Sequence, residues 1–236
     1  MYVTLSGEHR SAFRSTSRDI ATAPPHLKLA ANSALYFEGD EVSHVYIIED
    51  GVVRLTRVLE DGRRQVIAFG YPGDIVGFPA RGLHNTDCDA LTPVRLRPIR
   101  RCVLEDGAQD PDLHAALLDA AMDEISAMQD HFMMLGCKNA PEKVASFIKS
   151  MADRHGMMAA DGANVHLPMG RADIADFLGL TMETVSRCFT ALRKDGVIRL
   201  NGAQSVVIVS MERLARHALG QNTPAPRERH CPTLAA

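Results

Sequence analysis

Four polar side chains near residue 185 have the types and the spacing of a base-reading surface. They are Glu183, Ser186, Arg187 and Thr190. On a helix that winds by about 100° per residue, the last three fall within about 60° of Glu183. An arginine can bond to guanine O6 and N7 together, a carboxylate can accept from cytosine N4, and a hydroxyl suits a base or a phosphate. The spacing therefore predicts that Glu183 and Arg187 read a G·C base pair and its neighbour.

The same pair would also suit an ordinary surface helix. The helix dipole favours an acidic residue in a first turn, and Glu–Arg pairs four residues apart are common on exposed faces. The elements around the pair favour base reading, because they predict two short helices with a tight turn between them. These helices span 171–178 and 181–194, and Gly179 lies in the turn.

The two short helices have the pattern of a helix-turn-helix. Ala175 is small enough to let the helices approach, Val185 packs beneath them, and Thr181 is the expected N-cap of the second helix. Phe189 and Leu192 share the inward face with Val185. After this pair comes "GVIRLNGAQSVVIV", in which Asn201-Gly202 predicts a β hairpin, and "SMERLARHAL" predicts a closing helix. The C-terminal part therefore reads as a winged helix-turn-helix.

Residues 111–136 predict one long helix with a narrow apolar seam. Pro111 suits its first turn. Two rows of apolar side chains recur every seven residues, offset by three, which is the a/d pattern of a coiled coil. A helix packed on its own domain would show a similar stripe, but the narrowness of the seam favours a homodimer. The predicted dimer contacts are Leu118, Ala121, Ile125, Met128, Phe132 and Leu135.

Short β-rich runs fill the N-terminal half, from about 34 to 104. Asp50-Gly51, Asp61-Gly62 and Pro72-Gly73 separate these runs and predict hairpins, and several short strands at this spacing predict a sandwich or jelly roll. The expected fold is thus α+β: a β-roll, a long dimerisation helix and a winged helix-turn-helix. The domains are a flexible arm (1–30), the β-roll (31–108), the dimerisation helix (109–137), the winged domain (138–220) and a flexible tail (221–236).

The composition is that of a soluble globular protein, with 236 residues, 46% hydrophobic and 23% charged. Its N-terminus lacks the apolar core of a signal peptide, which predicts a cytoplasmic protein without a membrane partner. Charge is unevenly spread. Residues 1–137 hold 13 Lys and Arg against 20 Asp and Glu, whereas residues 138–220 hold 11 against 8. A basic C-terminal domain suits a polyanionic partner.

The motif "GRADIADFLGLTMETVSR" closely resembles the recognition motif of the Crp/Fnr family of bacterial transcription regulators. The segments "FEGDEVSHVYIIEDGVVRL" and "GYPGDIVGF" resemble the family's cyclic-nucleotide-binding-like β-roll. The segment "CKNAPEKVASFI" resembles the helix that follows the family's dimerisation helix. The resemblance implies double-stranded DNA, a second copy of the chain and RNA polymerase as partners. In the Fnr and FixK branches a Glu-x-x-Ser-Arg element reads a TTGA-type half-site, and this implies the same role for Glu183, Ser186 and Arg187.

Departures from the family pattern narrow the mechanism. Cyclic-nucleotide members use a Gly-Glu pair and an Arg-Ser/Thr-Ala run, and "GFPARGLHNTDCDAL" contains neither. Fnr carries an N-terminal cysteine cluster, whereas residues 1–87 here contain no cysteine. The resemblance is therefore to the FixK branch of the family. It implies an activator of microaerobic or nitrogen-fixation genes that needs no cofactor. A small-molecule or haem sensor of the same architecture is the alternative. An enzyme built on the β-roll is disfavoured, since His44 and His84 are too few for a cupin-type site.

Three further groups of residues contain side chains that could bind a metal, react or be recognised. The cluster of His84, Asp87, Cys88 and Asp89 fits no common metal template, and a solvated loop is expected there. Cys188 follows Arg187, a cation that could lower its thiol pKa, so it is a candidate redox switch, although helical geometry turns it toward the packing face. The terminal Leu234, Ala235 and Ala236 resemble a degradation signal for AAA+ proteases.

Overall fold

A computed structural model describes residues 26–108, 110–159, 162–202 and 204–221. Most of the predicted arm and tail, including Leu234, Ala235 and Ala236, lies outside these residues. The N-terminal half contains eight strands and one short helix. They are β1 (Leu27–Leu29), β2 (Ala34–Tyr36), β3 (His44–Asp50), β4 (Val53–Val58), β5 (Arg64–Gly70), β6 (Ile75–Val76), β7 (Asp87–Ala90), β8 (Val94–Arg100) and α1 (Arg101–Glu105).

The eight strands form two antiparallel sheets, with strand orders β1-β8-β3-β6 and β2-β7-β4-β5. This is the predicted jelly-roll arrangement, and we call these strands the β-roll. The turn at Asp61-Gly62 joins β4 to β5, which pair with each other as a hairpin. The other two hairpin predictions are wrong, because β3 and β4, and likewise β5 and β6, lie in different sheets. A Cβ at Gly51 would collide with the Pro93 carbonyl oxygen, so this glycine serves a close backbone approach at the crossover.

The C-terminal half is mainly helical and carries a third sheet. Its strands are ordered β11-β12-β10-β9. No helix among the described residues is long and apolar enough to cross a membrane. The elements are α2 (Pro111–Cys137), α3 (Ala140–His155), β9 (Met157–Ala159), β10 (Gly162–His166), α4 (Arg171–Leu178), α5 (Met182–Lys194), β11 (Ile198–Leu200), β12 (Ser205–Ile208) and α6 (Met211–Ala218).

Local sequence signals account for the helix ends. Asp110 caps α2 by accepting from the Leu113 backbone N–H at 2.9 Å. Asn139 and Glu142 form a reciprocal capping box at the start of α3, and Ser210 caps α6. Polar side chains at these positions satisfy backbone N–H groups that have no partner within the helix.

The β-roll and the C-terminal helices share one continuous core. Val66 and Phe69 of the β-roll are completely buried in the same apolar cluster as residues of α3, α4 and α5. Phe177 of α4 lies at the centre of this junction. Its ring centroid is 5.2 Å from that of Phe69 in β5 and 4.3 Å from that of His131 in α2. The two halves of the chain therefore pack closely against each other.

Candidate DNA-binding interface

Helices α4 and α5 form a helix-turn-helix whose bounds agree with the prediction to within one residue. Gly179 ends α4 in the left-handed conformation, with φ of 62°. The Leu180 N–H donates to the Ala175 carbonyl oxygen at 2.9 Å and closes the turn. Thr181 caps α5, because its hydroxyl oxygen accepts from the Thr184 N–H at 3.2 Å. A residue with a Cβ is strained at positive φ, so the glycine fixes the angle at which α5 leaves α4.

The inward face of α5 consists of the residues that its period predicts. Val185, Phe189 and Leu192 are all buried. The Arg171 guanidinium carbon lies 3.3 Å from the centroid of the Phe189 ring, and burial lowers the pKa of this arginine. This contact of Arg171 was not predicted. A cationic residue at the first turn of α4 is visible in the sequence, but no neighbouring residue indicates that its guanidinium stacks on Phe189.

The outward face of α5 carries the four predicted reading side chains, which we call the reading surface. The side chains of Glu183 and Arg187 are 73% and 75% exposed, and their charged groups form an ion pair. The Ser186 hydroxyl donates to the Met182 carbonyl oxygen at 2.9 Å, and the Thr190 hydroxyl donates to the Ser186 carbonyl oxygen at 2.9 Å. Both hydroxyl oxygens can still accept a bond. The arrangement offers a guanidinium, a carboxylate and hydroxyls near one helix N-terminus, which suits base edges in a major groove.

A two-strand wing follows α5. Strands β11 and β12 pair from Ile198↔Ile208 to Leu200↔Val206, so the hairpin predicted at Asn201-Gly202 is present. Arg199 is exposed on β11. Cationic side chains on such an edge suit phosphate oxygens.

Cys188 lies beside the reading surface but on its inner side. The residue is 8% exposed, and burial raises the pKa of its thiol rather than lowering it. The Arg187 guanidinium is engaged by Glu183. The thiol borders a groove of about 220 Å³ that is also lined by Pro141, Ala191, Leu192 and His217. Burial therefore opposes the expected activation of the thiol by Arg187.

The long helix α2 has two apolar faces. The inner face packs on the chain's own core through Leu117, Ala127, His131 and Met134. The outer face exposes Leu118, Ile125, Met128 and Phe132 of the predicted seam, and also Met122 and Met133, which lie outside the predicted seam. Ala121 and Leu135 are half-buried, and Leu135 packs against the core. The row of Leu118, Ile125 and Phe132 is therefore the centre of the outer face.

The segment predicted to be a solvated loop is instead part of the β-roll interior. His84 and Cys88 are 5% and 0% exposed, and burial raises the pKa of Cys88 to about 12. The His84 ring stacks on Tyr36, with centroids 3.6 Å apart and planes 5° from parallel. Burial raises the pKa of Tyr36 well above its usual range. The prediction failed because Cys88 and Ala90 alternate inward on β7, while Asp87 and Asp89 are only partly buried. Among the described residues no group of His, Cys, Asp and Glu could hold a metal ion.

Two family profiles match the chain. The Crp-like helix-turn-helix domain matches residues 142–217, and the cyclic nucleotide-binding domain matches residues 26–109. Together they cover more than half of the sequence and coincide with the two parts described above.

Curated relatives and a solved structure resemble the chain over most of its length. The nitrogen fixation regulation protein FixK of Azorhizobium caulinodans is 39% identical over 79% of this chain and 76% of its own. The transcriptional activator protein FnrL of Cereibacter sphaeroides is 36% identical over 80% and 78%. The structure of FixK2 from Bradyrhizobium japonicum, 34% identical, superposes with a TM-score of 0.74 over 81% of this chain and 96% of that one.

The relatives and the fold belong to DNA-binding regulators rather than to enzymes, as the reading surface on α5 predicts. The chain is a DNA-binding transcription regulator of the Crp/Fnr family and is FixK-like within it.

Proposed function

We propose that the protein is a homodimeric transcription activator that reads TTGA-like palindromes without a cyclic-nucleotide effector. The exposed pair of Glu183 and Arg187 at the start of α5 carries this proposal. In a helix-turn-helix the N-terminal residues of the second helix contact base edges. Glu183 accepts from a cytosine N4 and orients the guanidinium of Arg187 toward a guanine, while Ser186 and Thr190 bond a base or a phosphate.

Selection of bound sequences from random DNA tests base reading. The expected product is a palindrome with TTGA-like half-sites about one helical turn apart. On that operator Arg187→Ala should lose on the order of 1–3 kcal/mol of binding free energy and relax the preference at one guanine. Arg193→Ala is a matched control, because Arg193 is an exposed arginine in the last turn of the same helix. Equal weakening on all sequences would make Arg187 a phosphate contact instead.

Dimerisation is proposed through the outer face of α2. Several large apolar side chains are exposed along one helical stripe, and Phe132 is 74% exposed. Exposure of such an apolar stripe to water is unfavourable, and a second copy of the same helix buries it by a/d packing. Ile125→Asp should give a monomer in sedimentation that binds its operator weakly. Ser126→Asp adds the same charge to an exposed neighbour and should stay dimeric. A dimeric Ile125→Asp protein at low concentration would refute the interface.

Freedom from a nucleotide effector is proposed from the β-roll interior. The rings of Tyr36 and His84 stack inside the β-roll, and residues 77–91 contain neither the Gly-Glu pair nor the Arg-Ser/Thr-Ala run. Protein stripped of small molecules should bind its operator as well as before, and cAMP should not move its melting temperature. A clear upward shift, which any ligand specific for the native state produces, would contradict this. Co-purification of a haem would favour the sensor alternative.

Gene activation and its partner are inferred from relatives that are named as an activator and as nitrogen fixation regulators. We infer that the bound dimer contacts RNA polymerase at promoters of microaerobic or nitrogen-fixation genes. Transcription in vitro from a promoter with the selected operator tests this. Transcripts should increase with the protein and fall to the basal level with Arg187→Ala, whereas a decrease with the wild type would make the protein a repressor.

Turnover by an AAA+ protease is proposed as the way to end activation. Leu234, Ala235 and Ala236 are small apolar residues that resemble a degradation signal of the type such proteases recognise. Changing both alanines to aspartate should lengthen the cellular half-life and leave operator affinity in vitro unaltered. An unchanged half-life would exclude these residues as a signal.

A further inference from the structure

A cluster of ion pairs joins the β-roll to α4, and the assigned function does not account for it. We call it the brace. Arg54 Nη2 lies 2.8 Å from Asp89 Oδ2, and Arg54 Nη1 lies 2.6 Å from Asp173 Oδ1. Arg64 Nη2 lies 2.8 Å from Asp173 Oδ1 and 2.6 Å from Asp176 Oδ2. The Gln65 side-chain amide also donates to the Asp176 carbonyl oxygen.

The brace is shielded from solvent. Its side chains are between 12% and 34% exposed, with Asp173 the most buried. Three carboxylates face two guanidiniums, and Asp173 is shared by both arginines. Loss of either arginine would leave partly buried carboxylates short of positive charge, which costs more than the loss of an exposed pair. The cluster is therefore a fixed contact between the two parts.

The brace contacts one face of α4 at two successive turns. Asp173 and Asp176 are three residues apart on that face, and Phe177 beside them packs against Phe69 of β5 and His131 of α2. Contacts at two turns fix both the rotation of a helix about its axis and its position along that axis. Helix α5 inherits this orientation, because Gly179 and the Leu180–Ala175 backbone bond fix the turn between the helices.

The brace leaves the reading surface open. Glu183 and Arg187 remain about three-quarters exposed while α4 is held by the β-roll. The brace therefore does not block DNA binding by covering these side chains. Dimers of helix-turn-helix proteins must place two recognition helices one DNA turn apart, so a small error in the angle of each domain prevents simultaneous engagement of both half-sites.

We propose that the β-roll is an orienting support for DNA binding, in which Arg64 is a positioning residue that fixes the angle of α4 and thereby the spacing of half-sites that the dimer accepts. This inference rests on the proposed function as a dimer on palindromic DNA. In this proposal the β-roll itself fixes the orientation of the helix-turn-helix, and no bound effector is needed for that. Arg54 supports Arg64 by tying Asp173 to Asp89.

Binding to operators of different half-site spacing tests the proposal. Arg64→Ala is compared with wild type on the selected operator and on versions with one base pair added or removed between the half-sites. Arg63→Ala is the matched control, since Arg63 is the adjacent arginine, is 76% exposed and pairs with Asp61 in the β4–β5 turn. Melting temperature and sedimentation are recorded for each protein, so that loss of fold or dimer is seen directly.

The expected result is a loss of selectivity for spacing. Arg64→Ala should bind the native spacing about tenfold more weakly, or about 1.4 kcal/mol, and the altered spacings with little change. Arg63→Ala should match the wild type throughout. Equal loss at all spacings, no loss, or a gain in affinity would each overturn the proposal, and a gain would show that the contact inhibits binding. A wild type that binds no DNA would refute the proposed function and the brace with it.

Two milder variants cover the case in which Arg64→Ala does not fold. Arg64→Lys keeps the charge but cannot span both carboxylates, because an ammonium lacks the planar fork of a guanidinium. Asp176→Asn removes one charge from the α4 side and keeps the volume. Both should show the same loss of spacing selectivity at smaller amplitude, and wild-type selectivity in both folded variants would overturn the proposal.

Discussion

The reading surface on α5 and the brace between α4 and the β-roll are two charged clusters that are built in opposite ways. In the reading surface Glu183 and Arg187 are partners four residues apart on one helix, and both are about three-quarters exposed. In the brace, Arg64 and Asp176 come from distant parts of the chain and are no more than 34% exposed. The exposed pair is available to DNA at little cost in stability, whereas the shielded pairs hold two parts of the protein in register.

We therefore expect the reading surface to determine which DNA sequence is bound and the brace to determine the orientation of the helix-turn-helix. Changes in the reading surface should alter which DNA is bound while folding stays the same. Changes around the brace should alter stability and geometry while base preference stays the same.

Truncation of Phe177 should be the most damaging single change to stability. The ring extends from α4 and is fully buried against the β-roll, α2 and α3. Phe177→Ala should lower the free energy of unfolding by about 3–5 kcal/mol, because it removes the ring and leaves a cavity. Phe37→Ala is the control, since Phe37 is 58% exposed and should change stability little. Denaturant unfolding measures both, and similar losses would mean that the junction is not a critical part of the core.

Mild acid should weaken the same junction. Burial lowers the pKa of His131, which stacks on Phe177, and of His155, which stacks on Tyr71, to about 4 in each case. These folded-state values lie below the unfolded value of about 6.5, so the unfolded chain binds more protons between pH 6.5 and 4 and stability falls as the pH falls through that window. Each histidine should contribute a loss of about 2 kcal/mol between pH 7 and pH 5.

A glutamine substitution isolates the histidine at the junction. His131→Gln should reduce the difference in unfolding free energy between pH 7 and pH 5 by about 2 kcal/mol, because the titrating group is gone. His166→Gln, at an exposed position in β10, should leave that difference as it is in the wild type. If His131→Gln has the wild-type pH dependence, the junction does not hold a neutral histidine.

The cap of α5 should have an intermediate effect. Thr181→Ala removes the hydroxyl that accepts from the Thr184 N–H and should cost about 1 kcal/mol of stability. Thr181→Ser keeps the hydroxyl and should cost less. Both variants should prefer the same operator sequence as the wild type, because residue 181 does not belong to the reading surface. A change in the selected sequence would show that Thr181 takes part in reading.

Oxidation at Cys188 should have the smallest effect. Its thiol lies behind the reading surface, and its raised pKa leaves little reactive thiolate. Peroxide should therefore reduce operator binding only slowly and in part in the wild type, and Cys188→Ala should be resistant. Equal loss in both proteins would exclude Cys188 as a switch and would direct attention to the exposed Cys102 and Cys137.

The sequence predicted local geometry well. The bounds of α4 and α5, the positive φ of Gly179 and the inward side chains Val185, Phe189 and Leu192 all follow from helical period and turn chemistry. Each depends on residues within one or two turns of one another. The outer face of α2 was identified for the same reason, although Met122 and Met133 extend it beyond the strict seven-residue rows.

Contacts between distant segments could not be predicted in this way. Asp-Gly marks a turn but does not say whether the next strand stays in the same sheet, and at Asp50-Gly51 it does not. The arginines of the brace look like ordinary surface residues of a strand until α4 is placed beside them. The burial of Cys88 did have a local signal, since "TDCDA" alternates inward and outward as a half-buried strand does.

Strand order in the β-roll has a consequence for the way the chain folds. The first strand pairs with the last, Leu27 opposite Leu96, so the roll cannot close until residues near position 100 are available. Such distant pairings require the closure of long loops and slow folding, whereas α4 and α5 contact each other across one short turn and need no long loop to form. During synthesis the roll can close before α4 has left the ribosome. We therefore expect the roll to be the template on which the helices dock, and the ion pairs of Arg54 and Arg64 to be among the last native contacts that form.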